Sequence, residues 1–254
     1  MSDLTGKTAL VTGASRGIGQ AIATRLAANG AAVIVHFGTD KDGATATVDE
    51  IERAGGTAFA VRAELGVDDD VETLFAGIET GLAGRPLDIL VNNAAALPAG
   101  PIGVTTRTEF DHLFAVNVRA PYFIIQRALP LLRDGGRIIT ISSVATRMAN
   151  NTQTSFAMTK GAVETMSMTL ANELGVRGIT VNAVAPGGTR TATNEAVLEA
   201  PGVTELITGL TALDRLGEPS DVADVIVFLA SDAARWITGQ VIDASGGLFL
   251  GPRV

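Results

Sequence analysis

Thr8-Ala9-Leu10-Val11 runs straight into Thr12-Gly13-Ala14-Ser15-Arg16-Gly17-Ile18-Gly19, and this joint decides the fold. The first four residues read as a strand, and Gly17 to Asn29 carries apolar residues at three- and four-residue spacing, as a helix does. Each glycine has its own task in such a joint. Gly13 permits the tight turn, Gly17 lets the main chain approach a pyrophosphate, and Gly19 allows close helix packing. Amides of the first helical turn then face the anion, with Ser15, Arg16 and Ile18 beside it. A glycine triplet alone is weak, but strand, turn, helix and second strand in this order specify a dinucleotide site.

The alternation continues to the C-terminal region. Strands are expected at Thr8–Val11, Ala32–His36, Ala58–Val61, Ile89–Asn92, Arg137–Ser142, Thr180–Ala185 and Gln240–Ile242, mostly apolar as a sheet covered on both faces requires. Helices are expected at Gly17–Asn29, Asp42–Arg53, Asp68–Gly77, Thr108–Leu132, Ser155–Leu174 and Ser220–Ser231. Pro121 and Pro130 interrupt the fourth, which should divide or bend near Asn117. Asp68-Asp69-Asp70 reads as acids satisfying free amides at a helix start. No linker or repeat divides residues 1–254. The pattern specifies one α/β domain with a Rossmann-type, doubly wound, parallel seven-stranded sheet.

Composition narrows the function classes. Of 254 residues, 46% are hydrophobic and 18% charged, which supplies a core and gives no sign of disorder. There is no cysteine, so thiolate nucleophiles, disulfides and Cys-ligated metals are excluded, and a reducing, cytoplasmic setting is the default. The polar N-terminus gives no targeting signal, and apolar runs stop well short of the roughly 18 residues a membrane helix needs. A net charge of −8 without a basic cluster argues against nucleic acid, and equally against an acidic carrier protein. His36 and His112 stand too far apart in sequence to make a metal case, and both are expected at the surface or the cofactor rim.

The second strand selects between cofactors. Where NAD-selective folds place an acid for the ribose 2′-hydroxyl, this chain has Phe37. Without a carboxylate there to repel a 2′-phosphate, and with Arg16, Thr39 and Lys41 near, NADPH is favoured over NADH. Asp40 and Asp42 oppose that inference. Glu64 and Leu65 are placed to contact adenine. Asn92 ends the fourth strand, where it can tie strand edges together beside the cofactor.

Taken together these residues resemble the short-chain dehydrogenase/reductase family over essentially the whole chain, and among its members the 3-oxoacyl-reductase-like ketoreductases. Thr12-Gly13-x-x-x-Gly17-x-Gly19 matches its cofactor turn, and Asn92-Asn93-Ala94-Ala95 its Asn-Asn-Ala-Gly motif with Ala in the last place. The resemblance assigns Asn117 to a proton relay, Ser143 to polarising the carbonyl, and Lys160 to the nicotinamide ribose. It places Ala94, Pro186, Gly187, Thr189 and Thr191 against the cofactor. Its next motif is Tyr-x-x-x-Lys, which here reads Phe156-Ala157-Met158-Thr159-Lys160.

Phe156 has no hydroxyl, so the family's acid/base step is missing at its usual place, a loss typically worth about 10²–10⁴-fold. The ring volume remains, and cofactor binding should survive. Three readings stay open. The first is a deliberate Tyr→Phe substitution that traps or disables an otherwise intact reductase. The second is a natural reductase whose proton comes from substrate, water or Ser143, suited to an iminium or conjugated acceptor. The third is a dinucleotide-binding regulator without turnover. A hydrolytic role for Ser143 is excluded, because no Gly-x-Ser-x-Gly elbow surrounds it.

The resemblance makes residues 188–216 the segment that covers substrate. Leu198 and Leu206 there, with Leu97, Met148 and Asn150 on loops at strand carboxyl ends, outline an apolar pocket for a small or medium ketone. Asn172 stands where carrier-dependent relatives tend to have Arg, so an acyl carrier protein is not expected. The helical runs 108–132 and 155–174 match the family's dimer pair, and Ile237-Thr238-Gly239-Gln240 its tetramer edge, which implies a homotetramer or dimer.

Overall fold

The computed structural model describes residues 3–98 and 100–250. Its strands are β1 (Thr8–Val11), β2 (Ala32–Phe37), β3 (Thr57–Arg62), β4 (Leu87–Asn92), β5 (Leu132–Ile141), β6 (Thr180–Pro186) and β7 (Val241–Ala244). All are parallel, in the order β3-β2-β1-β4-β5-β6-β7. Strand order reverses between β1 and β4, so the crevice beyond their carboxyl ends is where such a sheet binds ligand.

Helices cover both faces: α1 (Gly17–Ala28), α2 (Lys41–Arg53), α3 (Asp70–Leu82), α4 (Arg107–Phe114), α5 (Ala120–Ala128), α6 (Thr154–Leu174) and α9 (Pro219–Ala230), with the short α7 (Glu195–Leu198) and α8 (Val203–Leu210) between β6 and α9. One core layer joins Ile22, Ala23 and Leu26 of α1 to Val222, Ala223 and Ile226 of α9 under Val11, Val33 and Val91. The other joins Leu74, Phe75 and Ile78 of α3 to Ile124 and Ile125 of α5 under Leu10, Leu90 and Ile138. Alternation along each strand sends successive side chains to opposite layers, and the near-continuous apolar runs are explained by burial on both sides.

The expected elements are all present, with shifted ends. The run expected as one helix over 108–132 divides into α4, a wider π-turn over Ala115–Arg119, and α5. Its break falls at Asn117 as expected. Pro121 lies in the first turn of α5, directly after the π-turn, so its missing N–H falls where the helical hydrogen-bond ladder already changes register. Helix ends at Ala128 rather than Leu132, because Pro130 follows and Leu132 already pairs with Leu87 of β4 across an irregularity. α3 begins at Asp70, later than expected. The buried Asp70 carboxylate accepts from the amides of Gly66 and Val71, both at 2.7 Å, the role expected of this acidic run.

Candidate active site

The glycine turn stands as read. Gly13 and Gly17 have φ of +64° and +58°, a region that side chains strain to enter. A Cβ at Gly13 would come within 2.9 Å of Ala94 Cα, and one at Gly19 would collide with the Gly13 carbonyl and the Asn93 side chain. Among the described residues nothing accepts from the amides of Ser15, Arg16, Gly17 or Ile18. Donors left open at a helix start, with glycines holding the surface low, suit a pyrophosphate. Arg16 is exposed, 4.0 Å from Asp40, whose other oxygen caps α2 through Gly43 N at 3.0 Å.

At the adenosine end Phe37 and Leu65 are buried, each in one core layer, whereas Thr39 and Glu64 are exposed. Two sequence readings need correction here. The strand-tying role falls to Asn93, whose side-chain amide donates to the carbonyls of Thr12 at 2.9 Å and Gly13 at 3.0 Å. Asn92 is buried with both polar atoms unpartnered, because alternation turns it onto the sheet face beside Thr140, whose hydroxyl also lacks a partner. His36 is core rather than rim, at 2% exposure. Its Nδ1 accepts from Gly13 N at 3.1 Å and its Nε2 stands 2.9 Å from Ala63 O.

Of the four positions that the resemblance names, Lys160 and Ser143 meet the carboxyl end of β5, Phe156 lies beside Lys160, and Asn117 bonds the residue before Lys160. Ser143 leaves that strand in extended conformation, and its Oγ accepts from Ala145 N at 3.2 Å, which leaves its own proton to donate. Lys160, one turn along α6 from Phe156, is 4% exposed and donates to Ile141 O at 2.8 Å. Burial pulls its ammonium down to about 8. Its Nζ lies 5.4 Å from the Phe156 ring centre. Asn117, held on the π-turn, accepts from Ala96 N at 2.7 Å and donates to Ala96 O and to Thr159 Oγ1, both at 3.2 Å. It thereby joins the loop after β4 to the turn that carries Lys160. Sequence reasoning missed Glu164, one turn beyond Lys160. One carboxylate oxygen of Glu164 accepts from Ser142 Oγ at 2.6 Å and Thr146 Oγ1 at 2.9 Å, fastening the Ser143 segment to α6. The spacing of Lys160 and Glu164 was the available signal.

The segment 188–216 follows β6, where Pro186 is the last strand residue and a Cβ on Gly187 would strike Ser245. Thr189 is buried and bonds Gly187 O at 3.3 Å. Thr191 gives its amide and hydroxyl to Asn194 Oδ1, both at 2.9 Å, and its methyl lies 3.4 Å from where a Gly17 side chain would begin. The segment therefore reaches back over the glycine turn. Leu198 is buried under it, whereas Leu206 and Leu97 are exposed. Asn150 is exposed and caps a local turn through Thr152 at 2.7 Å and 3.0 Å, and Met148 is half-buried nearby in sequence. No helix among the described residues is long and apolar enough to cross a membrane.

Open amides over a glycine floor and a buried lysine opposite fit a nicotinamide dinucleotide. A hydroxyl with a free proton, two residues past the main-chain carbonyl that holds that lysine, suits a substrate carbonyl. These features define an oxidoreductase site, and the chain belongs to the short-chain dehydrogenase/reductase family. The family pattern that matches residues 13–249 is described as enoyl-(acyl carrier protein) reductase. The chain is similar to the angucycline C-6 ketoreductase LanV, solved with bound NADP, at 51% identity over 98% of both chains and a TM-score of 0.94. It is 40% identical to versicolorin reductase stcU of Emericella nidulans over 97% of both chains. It is likewise 40% identical to the hydroxynaphthalene reductase-like protein Arp2 of Metarhizium brunneum, over 96% of this chain and 95% of that one.

Proposed function

We propose that this chain binds NADPH and a fused-ring aromatic ketone, and that Phe156 removes the proton donor that carbonyl reduction uses in its relatives. The chain is an NADP(H)-dependent ketoreductase. Bound NADPH supplies the hydride. Residues 13–19 hold its pyrophosphate, Arg16 and Thr39 its 2′-phosphate, and the two N–H bonds of Lys160 not aimed at Ile141 its nicotinamide ribose. Ser143 donates a hydrogen bond from its free hydroxyl to the ketone oxygen and so polarises it, keeping its own proton. Phe156 forms an apolar wall beside that oxygen and offers it no proton.

Relatives named as a versicolorin reductase, a hydroxynaphthalene reductase-like protein and an angucycline C-6 ketoreductase support a multi-ring ketone, and exposed Leu97 and Leu206 with half-buried Met148 offer apolar surface to it, over the buried Leu198. Asn172, with the chain's acidity, supports a free substrate over a carrier-bound one. Exposed Tyr122, Phe123, Met158 and Met168 on α5 and α6, with Trp236 at 96% exposure near β7, support a homotetramer built on those two faces.

One observation carries the reading of the chemistry: Phe156 lies among an intact Asn117, Ser143 and Lys160. The test measures NADPH oxidation by the chain and by Phe156→Tyr against fused-ring ketones, some bearing a hydroxyl next to the carbonyl. A much faster tyrosine form is expected. Equal rates would mean that the proton comes from substrate or solvent. No turnover in either form, with NADPH bound, would favour a regulator.

A further inference from the structure

We infer that His36 is a positioning residue for the adenosine diphosphate half of the cofactor site, acting through the main chain of Gly13 and Ala63. This rests on the dinucleotide reading of the glycine turn.

His36 is the penultimate residue of β2 and reaches neither sheet surface nor solvent. Three of its groups bind neighbouring main chain. Its Nδ1 accepts from Gly13 N at 3.1 Å, its carbonyl from Ala14 N at 2.9 Å, and its Nε2 faces Ala63 O at 2.9 Å. A carbonyl can only accept, so Nε2 carries the proton and Nδ1 the lone pair. The ring is therefore neutral and of one tautomer, consistent with burial holding its pKa down at about 4.

The consequence concerns the turn. Gly13 and Ala14 amides are consumed by His36, while those of Ser15 to Ile18 stay open. His36 thus divides the turn into a part anchored to β2 and a part left for the anion. Its other nitrogen holds Ala63, the residue before Glu64 and Leu65. The imidazole, together with the Phe37 carbonyl that accepts from Ala63 N at 3.0 Å, sets the separation between the pyrophosphate turn and the loop after β3, the two places between which an adenosine must fit. With Gly13 at positive φ and no side chain of its own, nothing else holds that amide. Preorganisation of this kind appears in affinity, because a turn that must be ordered on binding weakens it.

The experiment compares His36→Leu and His36→Asn with the unaltered chain. Leucine keeps volume but offers no acceptor, whereas the asparagine amide oxygen falls near the place of Nδ1. Fluorescence titration with NADPH, and calorimetry with adenosine 2′,5′-bisphosphate and with reduced nicotinamide mononucleotide, give three dissociation constants per protein. The leucine form should bind NADPH and the bisphosphate at least tenfold more weakly and the mononucleotide unchanged. Asparagine should recover most of the loss. Equal affinities in a folded leucine form, or equal weakening for both half-cofactors, overturn the inference. Should leucine prevent folding, hydrogen exchange at the Gly13 amide of the unaltered chain decides: a protected amide supports the clamp, and a freely exchanging one overturns it. If the unaltered chain binds no NADPH, the dinucleotide reading fails, while Gly13 protection still reports on the clamp.

Discussion

Lys160 Nζ lies 5.4 Å from the centre of the Phe156 ring, so a buried ammonium faces an aromatic ring that cannot exchange a proton with it. Adding the hydroxyl restores a titratable group beside a cation that favours its ionised form. Phe156→Tyr should raise ketone reduction by about 10²–10⁴-fold, the usual worth of a positioned general acid. The NADPH dissociation constant should not move, since neither the glycine turn nor Lys160 is altered. Steady-state rates and a binding titration on both forms check this; an unchanged rate would place the proton source elsewhere.

Lys160 carries a stability cost that its binding role explains. Its ammonium is buried, so its pKa falls from 10.5 to about 8. In the unfolded chain the group stays protonated up to its ordinary value. The cost is therefore full below pH 8, relieved as pH rises from 8 to 10.5, and worth up to about 3 kcal/mol. Lys160→Met should raise the melting temperature of the free protein at pH 7. It should also weaken NADPH about tenfold or more by removing a charged donor. A methionine form that melts lower would show that the bond to Ile141 O outweighs desolvation.

Much of this was legible beforehand because it depends on local chemistry. Gly13, Gly17 and Gly19 announce their own conformations, whereas Ser143 and Lys160 were picked out by the family resemblance and not by strand or helix geometry. The bend at Asn117 was legible because two prolines fall in one apolar run. The role of His36 was not, since a histidine ending a strand looks the same whether its ring meets solvent or the main chain of Gly13. Asn92 and Asn93 were exchanged for a related reason. Which of two adjacent amides faces β1 depends on where β4 stops, and apolar periodicity leaves a strand end uncertain by a residue. Glu164 gains meaning only once Ser142 and Thr146 are brought against α6.

Glu164 takes two hydroxyl donors on one oxygen, and both belong to the segment that carries Ser143. Glu164→Leu in a Phe156→Tyr background should lower kcat and raise KM for the ketone, with NADPH affinity unchanged. Glu164→Gln keeps a carbonyl oxygen and should recover most of the activity. If leucine and glutamine forms behave alike, the negative charge rather than the hydrogen-bonded clamp is what matters.

Arg16 has a side chain 62% exposed, and its Asp40 contact at 4.0 Å is long for an ion pair. It is thus free to turn toward a 2′-phosphate. Arg16→Ala should weaken NADPH by about tenfold, the lower end for a charge-assisted bond. NADH binding should change little. Dissociation constants for both cofactors measure the ratio, and an equal loss for both would assign Arg16 to the pyrophosphate instead.

His36 should also leave a mark on acid stability. Its folded pKa is depressed from 6.5 to about 4 by burial, so it is neutral in the native state where the unfolded chain would protonate it. The unfolded state binds the extra proton below pH 6.5, and stability falls from there until the native ring titrates near 4. The full loss amounts to about 3 kcal/mol. Native carboxylates lose stability over part of the same range, so the informative quantity is a difference. Urea unfolding at pH 7 and pH 4.5 should show a drop in the unaltered chain that exceeds the drop in His36→Asn by about 2 kcal/mol. Asparagine cannot titrate, so parallel losses in the two proteins would mean that the native imidazole already accepts its proton near pH 6.5, and that Gly13 is held by something other than a neutral ring.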